Sequence, residues 1–273
     1  MTRSTAAAYS NIAFVKYWGN ADFDLNIPAN NSISMNLSGA RTVTSVESGD
    51  PAAGDEYFLD GKPLDPASSF AAKITDHLDL LRTAVGTNIP LRVETANSFP
   101  ESVGLASSAS GFAALTMAAA KALGLDLDKR HLSMLARRGS GSACRSIPAG
   151  FVEWHAGEDD ENSFAEQIAP ETHWDLVDLA VIVSSQKKTI SSAAGHQLAA
   201  QSPFWRARQA VLPERLNKVR RAILEHDFET LGQETESEAL SLHAVALTSP
   251  HELQGSWSSG VYYWDCDTMG IMK

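Results

Sequence analysis

Residues 101–115 read ESVGLASSASGFAAL, with Ser107, Ser108 and Ser110 at the mouth of an Ala- and Leu-rich run. The first turn of a helix carries backbone N–H groups without partners, and its dipole favours negative charge. A loop of Gly, Ala and Ser lets an anion approach those groups, and hydroxyls add donors or metal ligands. The segment is not a Walker loop, because no G-K-[ST] closes it. The alternative is a close-packed helix start with a serine cap. Three further polar clusters stand out: Lys16-Tyr17-Trp18-Gly19-Asn20-Ala21-Asp22; RRGSGSACRSIPAGFVEW (137–154), where Ser140, Ser142 and Arg145 lie among glycines; and SSQKKTISS (184–192), with Lys187 and Lys188. Singly, each has an ordinary reading as a snorkelling strand end, a surface ion pair or a solvated loop. Together they describe a site for a phosphorylated carboxylate, with hydroxyl and N–H donors for phosphate and a guanidinium for a planar carboxylate.

The elements that must position these groups follow from periodicity. SNIAFVKYWG (10–19) is apolar and β-rich and reads as a buried strand. SISMNLSG (32–39) and RTVTSVESGD (41–50) alternate apolar with polar residues and read as two more. Tyr57–Leu59 followed by Asp60-Gly61 predicts a hairpin turn. Residues 66–85, 107–123 and 128–138 have helical character, with Gly124 a C-cap. PLRVETANS (90–98) and GFVEW (150–154) read as strands, and DLVDLAVIVSS (175–185) as the clearest buried strand of the chain. GEDDENSF (157–164) reads as an acidic surface loop and a seam. Residues 202–247 predict two long helices broken near His226-Asp227. Strands first and helices later give an α+β class, with a boundary near 160–175.

Bulk composition narrows the function. The chain has 273 residues, 44% hydrophobic and 20% charged, which suits one large or two modest globular domains. A net charge of −11 argues against nucleic acid as a partner while leaving room for a small anion held locally. Two cysteines, Cys144 and Cys266, suggest neither a disulfide scaffold nor a zinc site, so a reducing cytoplasm is expected. The N-terminus lacks a signal-like apolar segment and no run approaches a membrane span.

At this level of detail the sequence resembles the mevalonate diphosphate decarboxylases, members of the GHMP superfamily that also holds galactokinase, homoserine kinase and mevalonate kinase. The resemblance rests on NIAFVKYWGNADFDLNIPANNSISMNLSGARTVTSVE (11–47), NSFPESVGLASSASGFAAL (97–115), RRGSGSACRSIPAGFVEW, VSSQKKTISSAAGHQL followed by SPFWRARQ, and ESEALSLHAVAL (236–247). It implies a two-lobed α+β fold, with an N-terminal ATP- and substrate-binding domain over 1–170, like the second domain of a ribosomal protein, and an incomplete ferredoxin-like domain over 171–273. It implies ATP and Mg²⁺ and the phosphorylation of a tertiary 3-hydroxyl. Loss of that phosphate with CO₂ then gives an isopentenyl phosphate of the isoprenoid pathway. By motif position Arg145 holds the carboxylate and Lys16 lies by the reacting hydroxyl, the two catalytic candidates. Tyr17, Ser140, Ser142 and Ser192 hold the substrate. Ser98, Gly104, Leu105, Ala106, Ser107, Ser108, Ser110 and Lys187 surround ATP, with Ser107 and Ser108 the Mg²⁺ candidates. A cytoplasmic homodimer without nucleic-acid or membrane partners completes the expectation.

Two departures from the family pattern matter. The family reads K-Y-W-G-K-x-D, whereas Asn20 stands here in place of the second Lys. This fits a variant acting on mevalonate 5-phosphate, although Lys187 or Lys188 could supply the charge instead. Second, the family's catalytic Asp lies in a D-A-G-P-N motif beyond a Y-Y-W-like segment, and this chain has SGVYYWDCDTMGIMK (259–273) without that motif. Asp265 and Asp267 precede the expected position, and neither takes its role. HELQGSWSSG (251–260) departs as well. The expectation is a chain cut short, nearly inactive in decarboxylation yet able to bind nucleotide. The alternatives are a 3-hydroxyl kinase without decarboxylation or an inactive fragment that binds ATP and substrate.

Overall fold

The computed structural model describes residues 3–50, 52–99, 107–182, 190–253, 256–258, 260–264 and 266–272. A mixed sheet organises the N-terminal half. β1 (Ser4–Val15) opens the chain, and a small ribbon of β2 (Asn20–Asp22) and β3 (Ile27–Pro28) follows it. β4 (Ser32–Ser48) is the spine: β1 runs antiparallel along one edge. The other edge is shared by β7 (Leu91–Asn97) and β8 (Phe151–His155), and β5 (Glu56–Leu59), β6 (Lys62–Pro63) and β9 (Phe164–Ala169) extend the sheet beyond them. β5 and β6 are joined by Asp60 (φ 49°) and Gly61 (φ 76°), the left-handed pair that a tight hairpin turn requires.

Both faces of the sheet are covered. On one lie α1 (Ser69–Val85), α2 (Ser107–Ala122) and α3 (Lys129–Gly139), packed on Val46, Leu91 and Val93. α2 buries Ala109, Ala113, Ala114, Ala118, Ala119 and Ala120, so a helix apolar around most of its circumference lies close against β1 and β4. The opposite core joins Phe14, Val15, Ile33 and Phe151 to Leu212, Leu216, Val219 and Ile223. Those last four belong to α5 (Trp205–Glu225), which follows the short α4 (Ser192–Leu198). α6 (Phe228–Leu247) pairs with α5, and the turn between them falls at His226 in the left-handed region. A short ribbon of β10 (His251–Leu253) and β11 (Ser256–Ser258) and a last helix, α7 (Cys266–Ile271), complete the described elements.

Three sequence expectations need correction. The strands expected over 32–39 and 41–50 are one strand, because Gly39 does not turn the chain: β4 continues through it, and a register shift against β1 between Tyr9 and Asn11 takes up the irregularity. The apolar run 175–185 is no strand over the residues described: 175–182 has no regular structure, and Val177 and Leu179 are 87% and 84% exposed. β propensity needs a hydrogen-bonding neighbour to act on. The acidic stretch 157–164 is the loop of the β8–β9 hairpin rather than a seam, and Arg137 and Arg138 hold its Asp160 against α3.

Candidate active site

A cleft of about 1440 Å³ opens where the end of β1, the N-terminus of α2, the C-terminus of α3 and α4 meet. It gathers Lys16, Tyr17, Ser107, Ser108, Ser140, Ser142, Arg145 and Ser192 from four distant segments, together with Asn20. Ser98 and Ser110 do not line it. Ser98 Oγ accepts the Arg41 N–H at 3.0 Å, tying β7 to β4. Ser110 is fully buried, bonded to the Thr42 hydroxyl at 2.7 Å, where it fastens α2 to the sheet. Gly104, Leu105, Ala106, Lys187 and Lys188 lie outside the described residues.

Arg145 sits in a 3₁₀ turn, Gly141–Ser146, directly after α3. Its guanidinium is 4% exposed and donates to Ser34 Oγ (3.1 Å), Ser32 Oγ (2.6 Å) and Asn11 Oδ1 (3.2 Å). Asn11 is itself fixed, donating to the Ser142 carbonyl at 3.2 Å and to Ser146 Oγ at 2.8 Å. Among the described residues no carboxylate reaches Arg145, so a buried cation is held by neutral acceptors alone, and burial lowers its pKa. A charge left uncompensated in this way is costly until an anion joins it. With three bonds made, part of the five-donor fork remains for that anion.

Lys16 follows the last residue of β1, and its peptide is gripped from behind. Its N–H donates to Glu238 Oε1 at 3.4 Å, while its carbonyl accepts from Asn30 Nδ2 and Arg208 Nη2, both at 2.9 Å. Arg208 and Glu238 are an ion pair at 2.5 Å joining α5 to α6, both wholly buried, and Arg215 adds a second contact to Glu238 at 3.1 Å. Gly19 then turns the chain at φ 80°, and a Cβ there would lie 2.5 Å from the Trp205 ring.

Tyr17 donates its hydroxyl to Asn20 Oδ1 at 2.6 Å, and burial raises its pKa to about 12, so it stays a donor. Its ring meets Trp154 edge-on at 4.8 Å and stacks on His196 at 4.1 Å. Gly141 makes room for it, since a Cβ there would sit 2.8 Å from the Tyr17 ring. Burial holds two cleft histidines neutral, His77 at about 4 and His196 at about 3, against an ordinary 6.5.

These histidines predict acid sensitivity. Above about pH 6.5 they are neutral whether the chain is folded or not. Below it only the unfolded chain takes up their protons, so stability falls as pH drops toward 4 and 3. Each contributes up to about 1.4 kcal/mol per pH unit across that window. Melting temperatures from pH 7.5 to 4.5 should fall less steeply in His77→Gln than in the parent; equal slopes would remove His77 from the explanation.

Sequence reading missed Asn11, Ser32, Ser34, Arg208, Glu238 and His196. Ser32 and Ser34 carried a signal: two serines two residues apart share one strand face, and both are fully buried. Nothing local marked Arg208 and Glu238 as partners, thirty residues apart on two helices.

Known proteins match most of the length of the chain. The family "Diphosphomevalonate decarboxylase-like N-terminal domain" matches residues 8–165, and "Mevalonate 5-diphosphate decarboxylase C-terminal domain" matches 179–253. The diphosphomevalonate decarboxylase mvd1 of Aspergillus fumigatus is 40% identical over 265 residues, covering 90% of this chain and 66% of its own length. That of Candida albicans is 39% identical, with 91% and 73% covered. The chain thus spans about two thirds of the length of the curated relatives it matches. Among solved structures, the mevalonate diphosphate decarboxylase of Enterococcus faecalis superposes with a TM-score of 0.83 at 34% identity, over 99% of this chain and 80% of that one. That of Staphylococcus aureus gives 0.81 at 36%, over 90% and 75%. Both are GHMP-kinase-like folds, as is this chain. With a cleft of this composition and these matches along its length, the chain belongs to the diphosphomevalonate decarboxylase family.

Proposed function

We propose that the protein carries out ATP-dependent decarboxylation of a 5-phosphorylated mevalonate, producing the isopentenyl phosphate or diphosphate, ADP, phosphate and CO₂. The observation that carries this reading is Arg145: a buried guanidinium with no carboxylate partner among the described residues, in one cleft with the serines at the start of α2. A structural neighbour described as MDDEF in complex with MVAPP, AMPPCP and magnesium, TM-score 0.86 and 34% identity, supports it.

In this reading Arg145 binds the C1 carboxylate. The tertiary 3-hydroxyl, its proton passing to solvent water, attacks the γ-phosphorus of ATP and ADP leaves. The C3–O bond then breaks with departure of phosphate, the C1–C2 electron pair becomes the new alkene bond, and CO₂ is released. Charge grows on the transferring group, so the Lys16 ammonium and the α2 hydroxyls and N–H groups stabilise it. Tyr17, Ser140, Ser142 and Ser192 orient the substrate. Gly104, Leu105, Ala106, Ser107, Ser108 and Lys187 hold the nucleotide, while Ser98 ties β7 to β4 and Ser110 fastens α2 to the sheet. The described residues contain no cluster of three His, Cys, Asp or Glu able to cage a metal. The hydroxyls of Ser107 and Ser108 line the cleft and are oxygen donors of the kind Mg²⁺ takes, so one of them would hold an Mg²⁺ that arrives with the nucleotide. When bound, Mg²⁺ supplies positive charge across the nucleotide phosphates. Division into a nucleotide- and substrate-binding domain, 1–170, and a second domain, 171–273, accords with the two matched regions. A cytoplasmic homodimer completes the proposal; sedimentation at micromolar concentration tests the dimer.

The sequence carries no D-A-G-P-N motif, so turnover should be very slow; supplied with ATP, Mg²⁺ and carboxyl-labelled substrate, the protein should release CO₂, ADP and phosphate in equal amounts. ADP formed with the label retained would make it a 3-hydroxyl kinase instead.

Asn20 adds a prediction about the phosphate end. Its amide offers hydrogen bonds and no charge, so the extra charge of a diphosphate goes unmatched there. A charge-assisted bond is worth roughly 1.5–3 kcal/mol, so Asn20→Lys should raise diphosphate over monophosphate kcat/KM about ten- to a hundredfold. An unchanged ratio would mean that another cation already serves this end.

A further inference from the structure

His196 lies within α4, a helix whose sequence offers it no catalytic motif. Its Nδ1 accepts the Gly19 N–H at 2.9 Å, and a ring nitrogen that accepts must carry the lone pair. The ring proton is therefore on Nε2. The ring is clamped between Tyr17, at 4.1 Å and 24°, and Trp18, at 4.6 Å and 40°. Burial and the nearby Arg208 hold it neutral, so at working pH it offers a donor and no charge. The ring lines the cleft beside Ser191, Ser192 and Tyr17, and no described residue accepts its Nε2–H.

Its place along the cleft gives this donor a target. Arg145 lies 5.7 Å from the Trp154 ring, Trp154 meets Tyr17 at 4.8 Å, and Tyr17 stacks on His196 at 4.1 Å. A chain of ring contacts thus links the cation to the neutral donor within one cleft. A substrate with its carboxylate on Arg145 and its far end beside Tyr17 would lie within reach of His196.

We propose that His196 is a substrate-positioning residue that donates its Nε2–H to an oxygen of the substrate's phosphorylated end. The assignment rests on the function proposed above. One end of the ligand is read by charge and the other by a fixed, uncharged hydrogen bond. The Gly19 contact does two jobs: it holds the tautomer, and it ties α4 to the Lys16–Gly19 turn, so the donor and the Lys16 end of the site move together.

The test is calorimetric binding of mevalonate 5-phosphate, with unphosphorylated mevalonate and ATP as controls, to the parent, His196→Phe and His196→Gln. Phe keeps the stacking and loses both nitrogens. Gln can accept from Gly19 and still donate. His196→Phe should weaken mevalonate 5-phosphate about ten- to a hundredfold, leave the two controls within about twofold, and lose the preference for the phosphorylated ligand. His196→Gln should recover most of that loss. Parent-like binding by a folded Phe variant, or a Gln variant as weak as Phe, would overturn the proposal. Should the Phe variant not fold, ¹⁵N NMR of the parent decides: Nε2 should stay protonated from pH 5.5 to 8, and its proton should shift on adding mevalonate 5-phosphate. A proton found on Nδ1, or one unmoved at saturation, would overturn it. A parent that binds mevalonate but does not distinguish the phosphorylated form removes His196's target alone, whereas one that binds neither removes the function reading itself.

Discussion

Replacing Arg145 by alanine should lower kcat/KM for phosphorylated mevalonate about a hundred- to a thousandfold, with little change in melting temperature. Losing one partner of a buried charge pair costs about 2–5 kcal/mol, and here that partner is the ligand's carboxylate. The folded chain loses three bonds to neutral acceptors, Asn11, Ser32 and Ser34, but also sheds a buried charge with no counter-ion, and these effects oppose each other. Arg145→Lys should rescue little, because an ammonium cannot span three acceptors and a carboxylate with a planar fork. Steady-state kinetics beside thermal melts check this. Parent-like turnover would make Arg145 a structural strut for the 3₁₀ turn.

The largest stability loss should come from Glu238→Leu. It leaves Arg208, 2% exposed, without its carboxylate and takes from Arg215 one of its two. Breaking a buried pair from one side costs about 3–5 kcal/mol, whereas replacing both members by apolar groups is near neutral. The double variant Arg208→Met/Glu238→Leu should therefore recover most of the stability in urea unfolding. It should not recover activity, because Glu238 and Arg208 also hold the N–H and carbonyl of Lys16. A single variant losing under about 1 kcal/mol would show that water already reaches the pair.

Much of the cleft's lining was legible in the sequence because its parts are local. Lys16-Tyr17, Ser107-Ser108 and Ser140–Arg145 each occupy a short stretch, and only taken together do their residue types point to anion chemistry; helices 107–123 and 128–138 follow from composition and caps. Partnerships across the chain were not legible. That Ser32, Ser34 and Asn11 cradle Arg145 depends on the register of β1 against β4. That Glu238 supports Lys16 depends on how α6 meets the end of β1. The failure at 175–182 has the same origin: periodicity records what a segment prefers, while the pairing that realises it belongs to the rest of the fold.

The central claim is that this cleft binds a ligand through a carboxylate held by Arg145. The most direct measurement compares the dissociation constants of mevalonate 5-phosphate and its C1 carboxamide for the parent and for Arg145→Ala. The parent should prefer the carboxylate about ten- to a hundredfold, as a charge-assisted pair implies, and Arg145→Ala should bind both alike. A parent indifferent to the carboxamide, or a preference that survives in Arg145→Ala, would contradict it.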